Sequence, residues 1–259
     1  RRYPMFSRNG AGPESDINRT VGIPTELLDP ALLKRNQASQ QGPALADWRL
    51  EPILPKLTDR AVAFVESAAR ETTPYLLYFA LTSPHTPLAV NKEWVGKSGL
   101  GPYADLVMET DAAVGRVLAA IESSGEAENT VVIFTSDNGC APYIGAPGLE
   151  ARGHFPSGPL RGYKSDVWEG GHRVPFIVRW PEVIAPNSIC SQLVHQADLL
   201  ATCASIAGTN VPAGAGEDSF GLQPLLEGGD APVRDHAISQ SIRGLLAIRR
   251  GPWKLIFGA

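Results

Sequence analysis

The stretch "NTVVIFTSDNG", Asn129 to Gly139, decides the fold. Val131 to Phe134 is an unbroken apolar run, the pattern of a strand buried on both faces. Asp137-Asn138-Gly139 closes it abruptly with turn-forming residues. Just upstream, Leu106, Val107, Thr110, Ala113, Val114, Val117, Leu118 and Ile121 recur at helical spacing, and Gly125 sits beyond them as a stop. Further helix and buried-strand patterns flank it on both sides. Upstream, Ala61, Val62, Phe64, Val65, Ala68 and Ala69 predict a helix that Thr58 can cap; Pro74 then leads into the apolar run "YLLYFAL", 75–81. Downstream, a Gly/Pro-rich loop of about 139–162 leads to "RVPFIVRWP", 173–181, a third buried run. "ADLLATCASIAG", 197–208, is a short helix with Asp198 near its start and Gly208 as its stop. Alternating elements of this kind predict an α/β body, a mostly parallel sheet between helices.

The two ends differ from this body. Residues 1 to about 55 are rich in Pro, Gly, Gln and Asn and read as loop, with one helix near 31–40. Arg1-Arg2 is not followed by an apolar segment, so the start does not read as a signal peptide, and the chain reads as part of a longer one. At the other end "HAISQS", "LLAIRR" and "PWKLIFG" are short strand patterns, the last two joined at Arg250-Gly251, which predicts antiparallel pairing. The expected division is therefore 1–207 for the α/β body and 208–259 for a small antiparallel α+β subdomain.

Composition narrows the partners. The 259 residues are 43% hydrophobic, enough for a sizeable core, and carry a formal net charge of −4. With no basic block, nothing points to nucleic acid. No apolar window approaches the roughly 18 residues of a membrane span. Cys140, Cys190 and Cys203 are too few and too scattered for a disulfide framework or a zinc site. Asn18-Arg19-Thr20 fits a glycosylation sequon, a tripeptide common by chance.

Ligands of open α/β sheets bind outside the carboxyl ends of the strands, and three candidate positions fall there. Asp137 and Asn138 offer a carboxylate and an amide oxygen on adjacent residues, donors that suit Ca²⁺ or Mg²⁺; the plain alternative is an Asx turn. His85, held between Pro84 and Pro87, is placed to donate a proton to a leaving group or to bind an anion, or else is satisfied within its turn. Lys164 offers a compact cation for a sulfate or phosphate oxygen, or is a solvated surface side chain. Glu169 is a candidate capping or pairing partner, and Gly170-Gly171 permit a tight turn into the third run. His172, His195 and His236 read as structural. His154 and Arg152, in the variable loop, are weaker candidates for substrate contact.

The segments "LLYFALTSPHTPL", "YADLVMETDAAVGRVLAAIE", "NTVVIFTSDNG", "PLRGYKSDVWEGGHRVPFIVRWP" and "HQADLLATCASIAG" together resemble the sulfatase family of the alkaline phosphatase-like superfamily. "PLRGYK…WEGG" is most like the arylsulfatase B type, and "AIRRGPWKLI" fits the family's C-terminal sheet. The resemblance runs from about residue 56 to the end. It implies an alkaline phosphatase-like sandwich and a sulfuric ester hydrolase acting on a sulfated small molecule or carbohydrate. It makes Asp137 and Asn138 ligands of an active-site calcium, Lys164 the residue that binds a sulfate oxygen, and His85 the one that contacts sulfate and assists the leaving oxygen. It also implies an exported protein: periplasmic, extracellular or lysosomal.

The family's nucleophile is a formylglycine made from Cys or Ser in a Cys/Ser-x-Pro-Ser/Ala-Arg motif ahead of all these segments, and nothing in residues 1–84 matches it. The Asp-Asp pair that supplies the other calcium ligands is not matched either. The expectation is a formylglycine outside this chain and little activity from the chain alone. Ser157-Gly158-Pro159-Leu160-Arg161 fits Ser-x-Pro-x-Arg, but it carries Leu at the small-residue position and follows the calcium pair in chain order. It is a chance match beside Lys164. A related phosphodiesterase or phosphonate monoester hydrolase, and a non-catalytic protein binding sulfated glycans, are the alternatives.

Overall fold

Residues 49–258 are described by the computed structural model, and they form two compact units. The described part of the first comprises residues 49–126 and 142–156; the second comprises 127–141 and 157–258. The helix expected near 31–40 and the sequon at Asn18 lie outside the described residues.

The first unit is built on two long helices, α1 (Ile53–Ala68) and α2 (Pro102–Ser124), packed on each other. The start of α1 lies before Thr58, the expected cap. Pro52 precedes the helix and Pro55 falls in its first turn, where a missing N–H costs nothing. Thr58 is instead buried inside the helix, its hydroxyl donating to the Leu54 carbonyl at 2.8 Å. Leu54, Thr58, Ala61 and Val65 form the buried stripe, one to two turns apart. Leu54 meets Leu88, Leu106 and Ala113 in a core completed by Leu81, Tyr103 and Tyr143. Full burial of each leucine contributes about 1.5–3 kcal/mol.

Two carboxylates on the buried side of α2 organise the preceding loop. Asp105 accepts from the amides of Gly96 and Ser98, both at 2.8 Å. Glu109 accepts from the Asn91 amide at 3.0 Å and from its side-chain nitrogen at 2.5 Å. As expected, α2 ends at Gly125, whose φ of 80° is the left-handed cap conformation.

In the second unit, β1 (Val132–Thr135) pairs with β2 (Phe176–Arg179), and α5 (Asp198–Ile206) follows. The pairing corrects the sequence reading. The two runs lie antiparallel, with Val132 opposite Arg179 and Thr135 opposite Phe176. A parallel pair needs a long crossover, usually a helix. Here the ends of the connection are drawn together instead, the Gly139 amide donating to the Gly171 carbonyl at 2.9 Å, so the chain returns alongside itself.

The small sheet is antiparallel as expected: β3 (Ala237–Gln240), β4 (Leu246–Arg250) and β5 (Trp253–Ile256), in the order β3-β4-β5. Among the described residues both sheets are antiparallel, and the expected parallel pairing is not seen there. The run 75–81 is also corrected. It lies in no described strand, and it is not buried on both faces: Leu76 and Tyr78 are exposed while Tyr75, Leu77 and Phe79 are half-buried.

Candidate functional site

The centre of the second unit is a backbone weave made possible by glycine. The 136–141 turn after β1 lies against the 161–172 segment before β2, tied by Gly139 N–H to Gly171 O at 2.9 Å and Lys164 N–H to Cys140 O at 2.8 Å. Within the second segment the Gly170 amide donates to the Arg161 carbonyl at 2.8 Å. A Cβ on Gly139 would lie 1.8 Å from the Gly170 carbonyl oxygen, and one on Gly170 would lie 2.0 Å from that of Gly162. No side chain fits at either position, because the obstacle is backbone. The weave carries Asp137-Asn138 on one strand of chain and Lys164 on the other.

Asp137 is exposed, and its carboxylate takes no hydrogen bond or ion pair among the described residues. Asn138 donates its side-chain N–H to the Gly139 carbonyl at 3.1 Å, which leaves the amide oxygen unengaged. Ser136 donates to the Asn138 carbonyl at 3.0 Å, and Gln196 steadies the end of β1 through the Thr135 hydroxyl at 3.0 Å and the Ser136 carbonyl. The pair thus presents two oxygen donors of the kind a hard cation takes, although Ca²⁺ wants about six to eight. Among the described residues no cluster of three or more His, Cys, Asp or Glu completes such a shell.

Lys164 is half-buried, and its ammonium has no partner among the described residues. Its neighbour Ser165 takes a φ of 79°, unusual for a residue with a side chain, and the Ile242 amide donates to the Ser165 carbonyl at 3.0 Å. Asp166 closes the other side, accepting from the Tyr163 amide at 2.9 Å. His85 belongs to the first unit. Its Nδ1–H donates to the Thr86 carbonyl at 2.6 Å, which fixes the ring and leaves Nε2 for other chemistry. The loop that carries it is tied to α2, where the Thr110 hydroxyl lies 2.8 Å from that of Ser83.

The Ser157 hydroxyl is covered and without a hydrogen-bond partner, which suits a chance motif match rather than an accessible nucleophile. Arg161 of the same motif stacks over Trp168, 3.6 Å from the ring centroid. Arg152 donates to the Gly99 and Leu100 carbonyls, a structural use of a side chain considered for substrate.

Behind the weave lies a charged network that sequence reasoning saw only in part. Glu169 and His172, on the single turn α4 (Glu169–His172), meet Lys254 of β5 and Arg249 of β4. Lys254 spends all three N–H bonds, on Val167 O at 2.5 Å, Glu169 Oε1 at 2.8 Å and His172 Nε2 at 2.6 Å. Arg249 holds the other Glu169 oxygen at 2.8 Å. Burial pushes the His172 imidazole below its ordinary value, and the adjacent Lys254 charge pushes the same way. His172 Nε2 lies 2.6 Å from the Lys254 ammonium and 3.1 Å from the Val167 carbonyl, so it faces a donor and an acceptor at once. Burial pushes the Glu169 carboxyl up, but hydrogen bonds and charge from Lys254 and Arg249 outweigh it and hold it below its ordinary value. A Glu before two glycines hinted at a pairing role; that its cations come from a distant sheet left no local signal.

This fold and these loops define a known class. The Sulfatase family profile matches residues 36–209, and the chain belongs to that family. An N-acetylgalactosamine-6-O-sulfatase of Bacteroides thetaiotaomicron is 34% identical over 212 residues, 81% of this chain and 41% of the relative. Human arylsulfatase A is 37% identical over 227 residues, 83% of this chain and 43% of the relative. A solved Bacteroides thetaiotaomicron structure, described for the metabolism of multiple glycosaminoglycans, superposes with a TM-score of 0.75 at 34% identity, covering 82% of this chain and 44% of its own. The i-CgsB structure in complex with k-i-k-neocarrahexaose gives 0.69 at 28% identity, covering 84% and 48%. The chain thus spans less than half the length of these relatives.

Proposed function

We propose that this chain carries the cation-binding and sulfate-binding part of a sulfuric ester hydrolase acting on a sulfated small molecule or carbohydrate. What supports this is the weave: a carboxylate and an amide oxygen at Asp137-Asn138, and an ammonium at Lys164, all without a partner among the described residues, on two chain segments hydrogen-bonded to each other. The relatives' names, an N-acetylgalactosamine-6-O-sulfatase and an arylsulfatase, support sulfate over phosphate.

Asp137 and Asn138 would contribute two oxygens to a calcium ion, or to magnesium, with further ligands from elsewhere. Bound there, the cation would offset charge on the transferring group, and a formylglycine outside the described residues would supply the nucleophilic oxygen. Lys164 would hold one sulfate oxygen as a point charge. Such a contact stabilises the reaction insofar as it strengthens when charge shifts onto that oxygen. His85, with Nδ1–H committed to the Thr86 carbonyl, would as the imidazolium give its Nε2 proton to the departing oxygen and be left neutral.

Expressed from its whole reading frame with formylglycine installed, the protein is expected to hydrolyse an aryl sulfate far better than the matching aryl phosphate. Lys164→Ala should lower kcat/KM by about tenfold to a hundredfold, the loss of one charge-assisted hydrogen bond. The 259-residue chain alone should show no turnover at rates typical of sulfatases, because two donors do not complete a calcium shell. A preference for phosphate would overturn the sulfate reading. A second reading, a protein that binds sulfated glycans without turnover, uses the same Lys164 ammonium with no nucleophile. It expects binding by the whole protein and no hydrolysis.

A further inference from the structure

Lys164 sits on a segment that has almost no regular structure of its own: only the single turn α4, glycine at 162, 170 and 171, and a positive φ at Ser165. Such a segment does not hold a side chain in place by itself. Ile242, Lys254 and Arg249 reach it from the small C-terminal sheet and its β3–β4 turn. The Ile242 amide, in the β3–β4 turn, donates to the Ser165 carbonyl at 3.0 Å, directly beside Lys164. Lys254 of β5 grips Val167, Glu169 and His172 together. The sheet's register explains why Lys254 and Arg249 arrive as a pair: they are directly opposite across β4 and β5 and so share a face. That face is turned towards Glu169. The opposite face carries Ile238, Leu255 and Trp253, all exposed, beside Gln240 and Arg250. The two inner cations, on the same face as Ala237, Ala247 and Ile256, have one common target, the Glu169 carboxylate.

We propose that Lys254 is a positioning residue, through which the C-terminal sheet sets the 161–172 segment and with it the Lys164 ammonium. The chain of contacts is continuous. Lys254 holds the Val167–His172 turn; Gly171 of that turn accepts from Gly139; Lys164 donates to Cys140 one residue on. Truncating Lys254 leaves the Glu169 carboxylate with Arg249 alone, and removes the only donor shared by Val167, Glu169 and His172 among the described residues. The loss loosens both sides of the weave while α5 and the β1–β2 pair keep their own contacts. The inference rests on Lys164 being the sulfate grip, as proposed above.

The test is amide hydrogen exchange on the full chain and its Lys254→Met variant, with inorganic sulfate titrated into both. Protection at Gly139, Lys164, Gly170 and Gly171 should fall by about tenfold or more, the loss of a partly buried charged hydrogen-bond partner. Protection in α5 should stay unchanged, and sulfate binding should weaken although Lys164 is present. Unchanged protection in 161–172, or an equal loss throughout the unit, would overturn the proposal. If Lys254→Met fails to fold, Glu169→Gln removes the charge that Lys254 and Arg249 share, and it is held to the same pattern. A Lys164→Ala variant separates the two readings. Sulfate binding unaffected by Lys164→Ala, together with local loosening in Lys254→Met, defeats the sulfate reading and leaves the positioning one standing.

Discussion

At the scale of single residues, the second unit depends on charges placed where water does not reach. Asp198, fully buried, accepts from the His195 amide at 2.7 Å and the Phe220 amide at 3.0 Å, and pairs with the Arg234 guanidinium, itself 7% exposed. Removing one side of such a pair leaves the other charge buried, so Asp198→Ala should cost about 3–5 kcal/mol in urea denaturation. The exposed Arg116–Asp59 pair offers the contrast: 52% and 62% exposed, it should be worth about 0–1 kcal/mol. His172 makes stability depend on pH. Its folded pKa lies below the unfolded 6.5, so below that value the unfolded chain binds more protons and is favoured. The contribution is present above 6.5 and is lost as pH falls towards the folded value. The groups facing the ring are Glu169, Lys254 and Arg249, and Glu169 adds a second loss only at lower pH, below its unfolded 4.5. The fall in Tm between about pH 7 and pH 5.5 should therefore shrink in His172→Asn; an unchanged fall would reject the assignment.

At the scale of elements, the weave shows why glycine rather than helix or strand builds the site. Gly139→Ala puts a methyl 1.8 Å from a carbonyl oxygen that cannot rotate away, so the two segments must separate. Overpacking against backbone should cost more than the roughly 1–3 kcal/mol of a core overpacking, and should abolish the Gly139–Gly171 bond. Circular dichroism melts of Gly139→Ala beside Gly115→Ala, where nothing lies within 4 Å, separate this steric cost from a general loss of glycine. The elements also show what the sequence could reveal. Helix α2 was legible from its spacing and its Gly125 stop, because both are local. The direction of β2 relative to β1 was not. Apolar runs look alike in parallel and antiparallel sheets, and the antiparallel return follows from a glycine-to-glycine bond across a long loop. The start of α1 was misread for a local reason: Pro52 and Pro55 look like breakers but are tolerated in a first helical turn.

At the scale of the whole molecule, the family was legible because several loop motifs stand in one order along the chain, whereas no single one of them is decisive. Asp137, Asn138 and Lys164 were legible as candidates because strand ends are where α/β folds bind ligands, and the fold brings these three onto one weave. The Glu169–Lys254–His172 network was not, since Glu169 and His172 lie 85 and 82 residues from Lys254. The proposed cation and anion sites stand on two segments hydrogen-bonded to each other. The most direct test is an amide NMR titration of this chain with calcium chloride, and separately with sodium sulfate at constant ionic strength. The account predicts weak, saturable shifts centred on Ser136–Cys140 for calcium and on Tyr163–Ser165 for sulfate, the latter lost in Lys164→Ala. Shifts spread over the surface without saturation, or sulfate shifts that persist unchanged in Lys164→Ala, would contradict it.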